Sequence, residues 1–383
     1  MDVNYTFVGV DFMLISIVLC SLIFLSFIFD GVMENIFIVL AVMAFYKQII
    51  MCKDYKYMAY ALIISYIGVN FIMTFGFRNY LSFDEISPEQ DKEDTIILLI
   101  SDGESKNYNF RERATQIYYE EGLKSYFKVT KNLYDYKSYY NEIGSSDFKE
   151  ESEKIASNLR IRLGSGYKVV NSYLYSTPYL ESSLEDIVSK GYKNIILCPI
   201  FMTEGNDFDI FKERYDDLNL SIYNLNITIL DTFYKSNNLA MLYKNEILKY
   251  IDANDKDVGV ILIGLQEENN LEQDILFREK IQEYVQQEEK SYDIQIKLPL
   301  LENNKKDIIK SGEELLEYGI DELYLVLPTF TIDTIYTKHL AQSIFKQLDM
   351  GNTKFYYIDP PNKSEVIVDE IFTRISLINQ IGG

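Results

Sequence analysis

The chain has 383 residues, 48% of them hydrophobic and 25% charged, with a formal net charge of −21 at pH 7. That length suits one membrane segment and two ordinary lobes, while the acidic balance excludes a nucleic-acid partner and argues against anchoring of the soluble part to anionic lipid. The three cysteines, Cys20, Cys52 and Cys198, have no paired spacing, which excludes a disulfide framework or a zinc site, and a histidine-based triad or metal cage would have to be built on one residue, His339.

The first 80 residues differ in kind from the rest. Phe7 to Phe29 is a 23-residue run whose only charge is Asp11. A second apolar run covers Gly31 to Met51, interrupted by Glu34 and Lys47, and a third covers Met58 to Phe77 without a charge. Each is near the roughly 20 residues needed to cross a hydrocarbon core, so residues 1–78 read as a three-helix transmembrane anchor. The first run lacks a basic flank and is too long for a cleaved leader. Asp11 and Glu34 fall near helix ends and read as interfacial. Lys47, Lys53 and Lys56 lie around the second connection. The charge bias puts that connection in the cytoplasm and the soluble part outside; Arg78 weighs the other way, and the side stays open. Small residues on the third run (Ala59, Ala61, Ser65, Gly68 and Gly76) suit helix–helix packing, which points to a membrane partner or self-association.

Residues 79–94 are polar and read as a linker. Beyond them strands and helices alternate. Strand-like runs are Thr95–Ser101, Lys168–Leu174, Asn194–Ile200, Asn226–Leu230, Val258–Gly264, Ile294–Leu298, Glu322–Leu327 and Lys354–Ile358. Helical patterns cover roughly 109–123, 148–163, 178–190, 207–218, 238–251, 271–287, 305–318, 332–348 and 363–377. Asp147 and Glu150 have the spacing of a capping box. Such alternation predicts an α/β fold with two Rossmann-like lobes, each on a parallel four-stranded sheet. The expected lobes are 95–238 and 239–383, with the C-terminal helix packing back on the first. No internal repeat is visible.

The stretch DELYLVLPTFTIDTIYTKHL (321–340) reads as a buried strand, a turn and a helix. Ligands in open α/β sheets bind beyond the carboxyl ends of strands. Thr329, Phe330, Thr331 and Asp333 should therefore lie at a cleft, with Tyr336 on the first turn of the helix. Carboxylates gather at the other expected strand ends: Asp102, Glu104, Glu204, Asp207, Asp209, Glu267 and Glu268. They suit a hard cation, or are simply the surface of a protein with 58 acidic residues. No glycine loop with phosphate-binding context is present: the Gly-Ser-Gly at 164–166 precedes a strand.

Six strings in order resemble the ferrochelatase family, especially the Gram-positive coproporphyrin-type enzymes, over most of 95–380. They are TIILLISDG, YYNEIGSSDFKEESEKIASNL, GYKNIILCPIF, ITILDTFYKSNNLAMLYKNEI, VILIGLQEEN and the 321–340 stretch. The resemblance implies a chelatase-like fold, a porphyrin or haem ligand and a divalent metal as second substrate. It does not bring the chemistry. The family's proton-abstracting histidine falls at Gln266, its partner carboxylate at Tyr336 and a second histidine at Ile200. Its axial tyrosine falls at Asp102, and its substrate-binding arginines near Tyr118 and Tyr119. Phe330 and Asp333 keep the family type, with one residue fewer between Pro328 and Phe330.

Gln266 reads as a polar ligand contact or as a surface amide left after loss of function. Asp333 reads as a metal ligand or a helix cap, and His339, one turn beyond Tyr336, as a ligand or a solvated surface group. Asp102, Asp333 and His339 are the residues on which a metal site would be built. The expectation is a membrane-anchored, catalytically degenerate chelatase-like protein acting in binding, sensing or assembly. The alternative is an active chelatase with Asp102, Tyr336 and His339 as substitute ligands.

Overall fold

The computed structural model describes residues 3–51, 56–79, 81–84, 86, 90–250, 257–265, 270–288, 294–301, 305–349, 351–360 and 365–382. The chain forms two compact units, residues 1–80 with 107–145, and residues 81–106 with 146–383.

Three long helices begin the first unit: α1 (Val3–Ile28), α2 (Gly31–Met51) and α3 (Lys56–Ile72), the last running on into a π-helical turn at Met73–Phe77. Each contains a stretch long and apolar enough to cross a membrane, Asp11–Ile28, Gly31–Ile50 and Met58–Phe77. Apolar side chains such as Val39, Phe45 and Ile63 face outward along them, as a lipid-facing surface requires. Polar contacts join the helices from inside. Gln48 Nε2 donates to Ser16 Oγ at 2.8 Å, and Ser65 Oγ donates to the Ile17 carbonyl at 2.8 Å.

A helical hairpin completes this unit: α4 (Phe110–Glu121), a 3-10 turn (Gly122–Phe127) and α5 (Val129–Ile143). Asn109 caps α4, its side chain accepting from the amides of Arg111 and Glu112. α5 was not expected. Its sequence, VTKNLYDYKSYYNEI, is too rich in Tyr, Asn and Lys for a clear apolar period. Its buried face is Val129, Thr130, Leu133 and Lys137. Lys137 Nζ donates to the Phe29 carbonyl at 2.6 Å and lies 3.0 Å from Glu34. It satisfies a carbonyl at the C-terminal end of α1 and gives Glu34, at the start of α2, a counter-charge.

The second unit is α/β. Its elements are β1 (Lys92–Ser101), α6 (Phe148–Leu163), β2 (Tyr167–Tyr173), α7 (Leu180–Ser189), β3 (Tyr192–Pro199), α8 (Asn206–Asp217), β4 (Asn226–Ile229) and α9 (Asn237–Tyr250). They continue with β5 (Val258–Leu262), β6 (Gly264–Leu265), α10 (Leu271–Gln286), β7 (Ile294–Lys297), β8 (Leu300–Leu301) and α11 (Lys306–Tyr318). The last are β9 (Glu322–Val326), α12 (Ile335–Phe345), β10 (Lys354–Ile358) and α13 (Glu365–Gly382). Two four-stranded sheets have the orders β2-β1-β3-β4 and β10-β9-β5-β7, every pairing parallel. β6 and β8 form a separate two-stranded parallel sheet. Counted from each lobe's first strand, both large sheets have the order 2-1-3-4. The lobes therefore share one topology although the sequence shows no repeat.

Buried strands of a parallel sheet are apolar on both faces, as β1 shows: Ile96 to Ile100 are all buried. Ile97 and Leu99 join a core that also holds Ile155 and Leu159 of α6, Val260 of β5, Tyr324 of β9 and Ile371 and Ile375 of α13. α13 thus packs against α6 of the first lobe. The chain between β1 and α6 is the hairpin of the first unit, so α6, not α4, makes the crossover from β1 to β2. The capping box expected at Asp147 and Glu150 does not form: Asp147 makes no side-chain cap, and Glu150 accepts from Lys106 at 2.8 Å. The box that does form is at α12, between Thr334 and Thr337.

Candidate ligand cleft

In an order 2-1-3-4 the connections leave the first strand in opposite directions, so the switch point lies between strands one and three. Binding crevices open there, beyond the carboxyl ends. In the first lobe the switch falls between β1 and β3, and in the second between β5 and β9. One cleft has residues from all four of these strand ends on its walls. Ser101 ends β1 and Asp102 follows it, Ile200 to Thr203 follow β3, Leu265 follows β5, and Thr329 to Ile332 follow β9. Phe148 of α6 and Asp207 and Phe208 of α8 complete the wall. The enclosed space is about 40 Å³, well below the range of small-molecule sites, so the groove is narrow with the lobes in this arrangement.

Each wall is fixed by its turn. After β1 the chain turns at Gly103, with φ +81°, where a Cβ would meet Tyr173 Cβ at 2.4 Å and Ser176 Oγ at 2.5 Å. Only glycine fits there. After β3, the Ile200 amide donates to the Ile100 carbonyl at 2.7 Å. After β9, the Tyr243 hydroxyl lies 3.3 Å from the carbonyls of both Pro328 and Phe330. Tyr243 is fully buried, and burial pushes its pKa well above 10, so it stays a donor.

Among the described residues, polar bridges cross between the lobes and narrow the groove. Thr331 Oγ1 donates to the Ile200 carbonyl at 3.0 Å. The Ile335 amide, the first of α12, donates to Glu104 Oε2 at 2.9 Å. Gln273 accepts from the Glu204 amide at 2.8 Å and donates to the Glu204 carboxylate at 3.2 Å.

The cleft brings together Asp102, Ile200 and Phe330, with Thr329 and Thr331 beside them. Asp333 is placed elsewhere. It is buried in the second lobe, where Thr337 and Tyr357 donate to its Oδ1, the latter at 2.8 Å. Burial raises its pKa above the ordinary carboxylate value, against those two donors. Tyr336 packs on the apolar core of the second lobe and does not line the cleft, and neither does His339. Gln266, Glu267 and Glu268 lie outside the described residues, as does Cys52. Tyr118 and Tyr119 lie on α4 in the first unit, where Arg78 stacks 3.6 Å above the Tyr118 ring.

Among the described residues no three His, Cys, Asp or Glu side chains gather as a metal site. The acidic cluster is taken up by structure: Glu104 meets a helix amide, Glu204 meets Gln273, and Asp207 accepts from Tyr175 at 2.6 Å. Apart from Asp102, the remaining wall is apolar and hydroxylic. Sequence reasoning missed Glu104 as a cap, because its helix begins 231 residues later. It also missed Tyr243, whose only sequence signal was a place on the apolar face of a helix.

No protein-family profile and no curated protein sequence matches the chain. Solved structures do match, distantly. The sirohydrochlorin chelatase SirB from Bacillus subtilis subspecies spizizenii, in complex with cobalt, is 12% identical; the match covers 74% of this chain and 94% of that one, with a TM-score of 0.48. DR2241 from Deinococcus radiodurans, a multi-domain protein described as similar to chelatases, is 11% identical, with 74% of this chain covered and a TM-score of 0.48. This chain spans 55% of its length. GanP, a glucose-galactose binding protein from Geobacillus stearothermophilus, is 14% identical at a TM-score of 0.32, covering 71% of this chain and 80% of that one. Likenesses of this size carry nothing about the site, so the architecture rests on the strand pairings themselves.

Proposed function

We propose that the chain is a membrane-anchored, chelatase-like binding protein whose cleft holds a tetrapyrrole or related metal-binding ligand without inserting metal. The observation that supports it is the wall chemistry. Metal insertion requires a base to remove two pyrrole protons and donors to hold the ion. The described wall offers Ile200, Phe201, Met202, Phe208, Leu265, Phe330 and Ile332, four hydroxyls, and only two ionisable groups, Asp102 and Asp207. Asp207 is engaged by Tyr175. An apolar wall with a few hydroxyls suits binding, and the bridges between the lobes part to admit a ligand of that size to so narrow a groove.

The anchor reading rests on the three apolar stretches; the side of the membrane that holds the lobes is left open. Helix contacts with a membrane partner or a second copy are part of the same proposal.

The test uses the full chain in detergent or lipid discs. Titration with porphyrin and haem should give saturable spectral change that weakens on Ile200→Asp, while metal insertion stays at the uncatalysed rate. Turnover that falls on Asp102→Asn would reject the binding reading in favour of an active chelatase. Absence of any titratable binding would leave neither reading standing.

A further inference from the structure

The hairpin 107–145 belongs to the compact unit of the three long helices, and its contacts place it at a definite depth along them. The Tyr66 hydroxyl donates to the Phe127 carbonyl at 2.8 Å, and the Tyr126 hydroxyl to the Ile67 carbonyl at 3.3 Å. The Thr130 amide donates to Asn70 Oδ1 at 2.9 Å, in a buried contact. Tyr66, Ile67 and Asn70 all lie within the apolar stretch Met58–Phe77. At 1.5 Å per residue, Ile67 is about 15 Å from the Phe77 end, or about half of a roughly 30 Å hydrocarbon core. The turn Gly122–Phe127 is therefore level with the interior of the apolar span, not with its end.

The outward side of that turn has the composition this depth calls for. Leu123 is 71% exposed and Phe127 69%, and Tyr134 is also exposed. They continue the apolar surface of the long helices: the Tyr134 ring lies 5.6 Å from Phe27, and the Tyr126 ring 6.4 Å from Phe71. Lys124, Lys128 and Lys131 are exposed on the same hairpin. Lys128 lies 3.7 Å from Glu121, at the end of α4, which offsets part of that charge.

We infer that the hairpin 107–145 is a re-entrant element. Its 3-10 turn inserts into the leaflet that holds the C-terminal half of α3. Leu123 and Phe127 contact acyl chains. Part of the turn's backbone is met at that depth: the Phe127 carbonyl accepts from the Tyr66 hydroxyl and the Ser125 carbonyl from the Lys128 amide. The inference rests on the reading that α1, α2 and α3 cross a bilayer.

The chain has no tryptophan, so single replacements are clean reporters. The full chain would carry Leu123→Trp or Phe127→Trp, in discs of phosphatidylcholine and phosphatidylglycerol with or without bromine on the acyl chains. Val39→Trp, on the exposed side of α2, is the control for lipid contact, and Tyr318→Trp, on α11, the control for water. All four positions are exposed, so a tryptophan fits at each without entering the core. The expected result is blue-shifted emission at 123 and 127, with a bromine-dependent loss comparable to position 39 and none at 318. Emission at 123 and 127 that follows position 318 while 39 is quenched would overturn the inference and leave the spans intact. Loss of quenching at 39 as well would overturn the membrane reading itself.

Discussion

Arg278 and Asp274 form a buried ion pair one helical turn apart on α10, with Arg278 Nη2 2.6 Å from Asp274 Oδ2. The guanidinium also lies 3.2 Å from the Leu262 carbonyl and 3.4 Å from the Pro299 carbonyl. It thus ties the carboxyl end of β5 to the approach to β8 and fixes the segment that carries Leu265 to the cleft. Burial raises the Asp274 pKa, and Arg278 opposes that rise.

Gly264 makes room for this pair. A Cβ there would lie 2.1 Å from Asp274 Oδ2 and 2.4 Å from Arg278 Cζ. Gly264→Ala should therefore force the ion pair apart, at a cost on the order of 3–5 kcal/mol, as for other broken buried pairs. Gly166→Ala, where nothing lies within 4 Å, should stay within about 0.5 kcal/mol of the parent. Thermal unfolding of the detergent-solubilised chain decides it: equal midpoints for the two variants would show that the pair has slack.

A second prediction concerns Asp333. Its carboxyl is buried beneath Thr337 and Tyr357, with Asp359 and Lys338 nearby. Burial is the largest effect and raises the folded pKa above the ordinary 3.8. A carboxyl with a raised folded pKa adds stability that is fully present below its unfolded pKa and is lost as pH rises through the folded value. Asp333→Asn keeps an acceptor for both donors and removes that proton dependence. The variant should gain on the parent as pH rises from below 3.8 toward neutrality and show no gain at the acid end. Parallel stability curves across that window would mean that Asp333 titrates normally.

The strands were legible because a buried parallel strand is a short continuous apolar run. β1 was expected to begin at Thr95 and begins at Lys92, and the other strands of the two four-stranded sheets fall within about two residues of expectation; the short β8 was not expected. α6 was expected at 148–163 and has those bounds. The cleft was legible to the same extent: Thr329, Phe330 and Thr331 reach it because the carboxyl end of a strand is a position that sequence can mark. Asp333 was misread because the turn after Thr331 carries it inward, and no local pattern separates a carboxylate facing a cleft from one facing Tyr357. The hairpin was misassigned for a related reason. Its α4 lies between two strands in sequence, as a crossover helix does, and only long-range contacts such as Lys137 to Phe29 show where it packs.

The last prediction isolates one of those contacts. The first amides of a helix have no partner within it. α4 solves this locally, through Asn109. α5 has no side-chain cap from its own N-cap residue, Lys128; its Thr130 amide is met by Asn70, 60 residues earlier on α3. Asn70 in turn is 1% exposed within an otherwise apolar span, where an unmet amide would be costly. Each group answers the other's need, so the contact should act as a latch between α3 and the start of α5. Asn70→Ala should cost about 1–2 kcal/mol, the usual range for a lost cap. That energy raises the open population of the first turn of α5 by roughly 5–30-fold. Hydrogen exchange on the full chain in lipid discs should then show faster exchange at the first amides of α5, with α4 unchanged as the internal reference. An equal rise in both helices would mean that the substitution loosens the whole unit, and no rise in either would mean that the Thr130 amide has another partner.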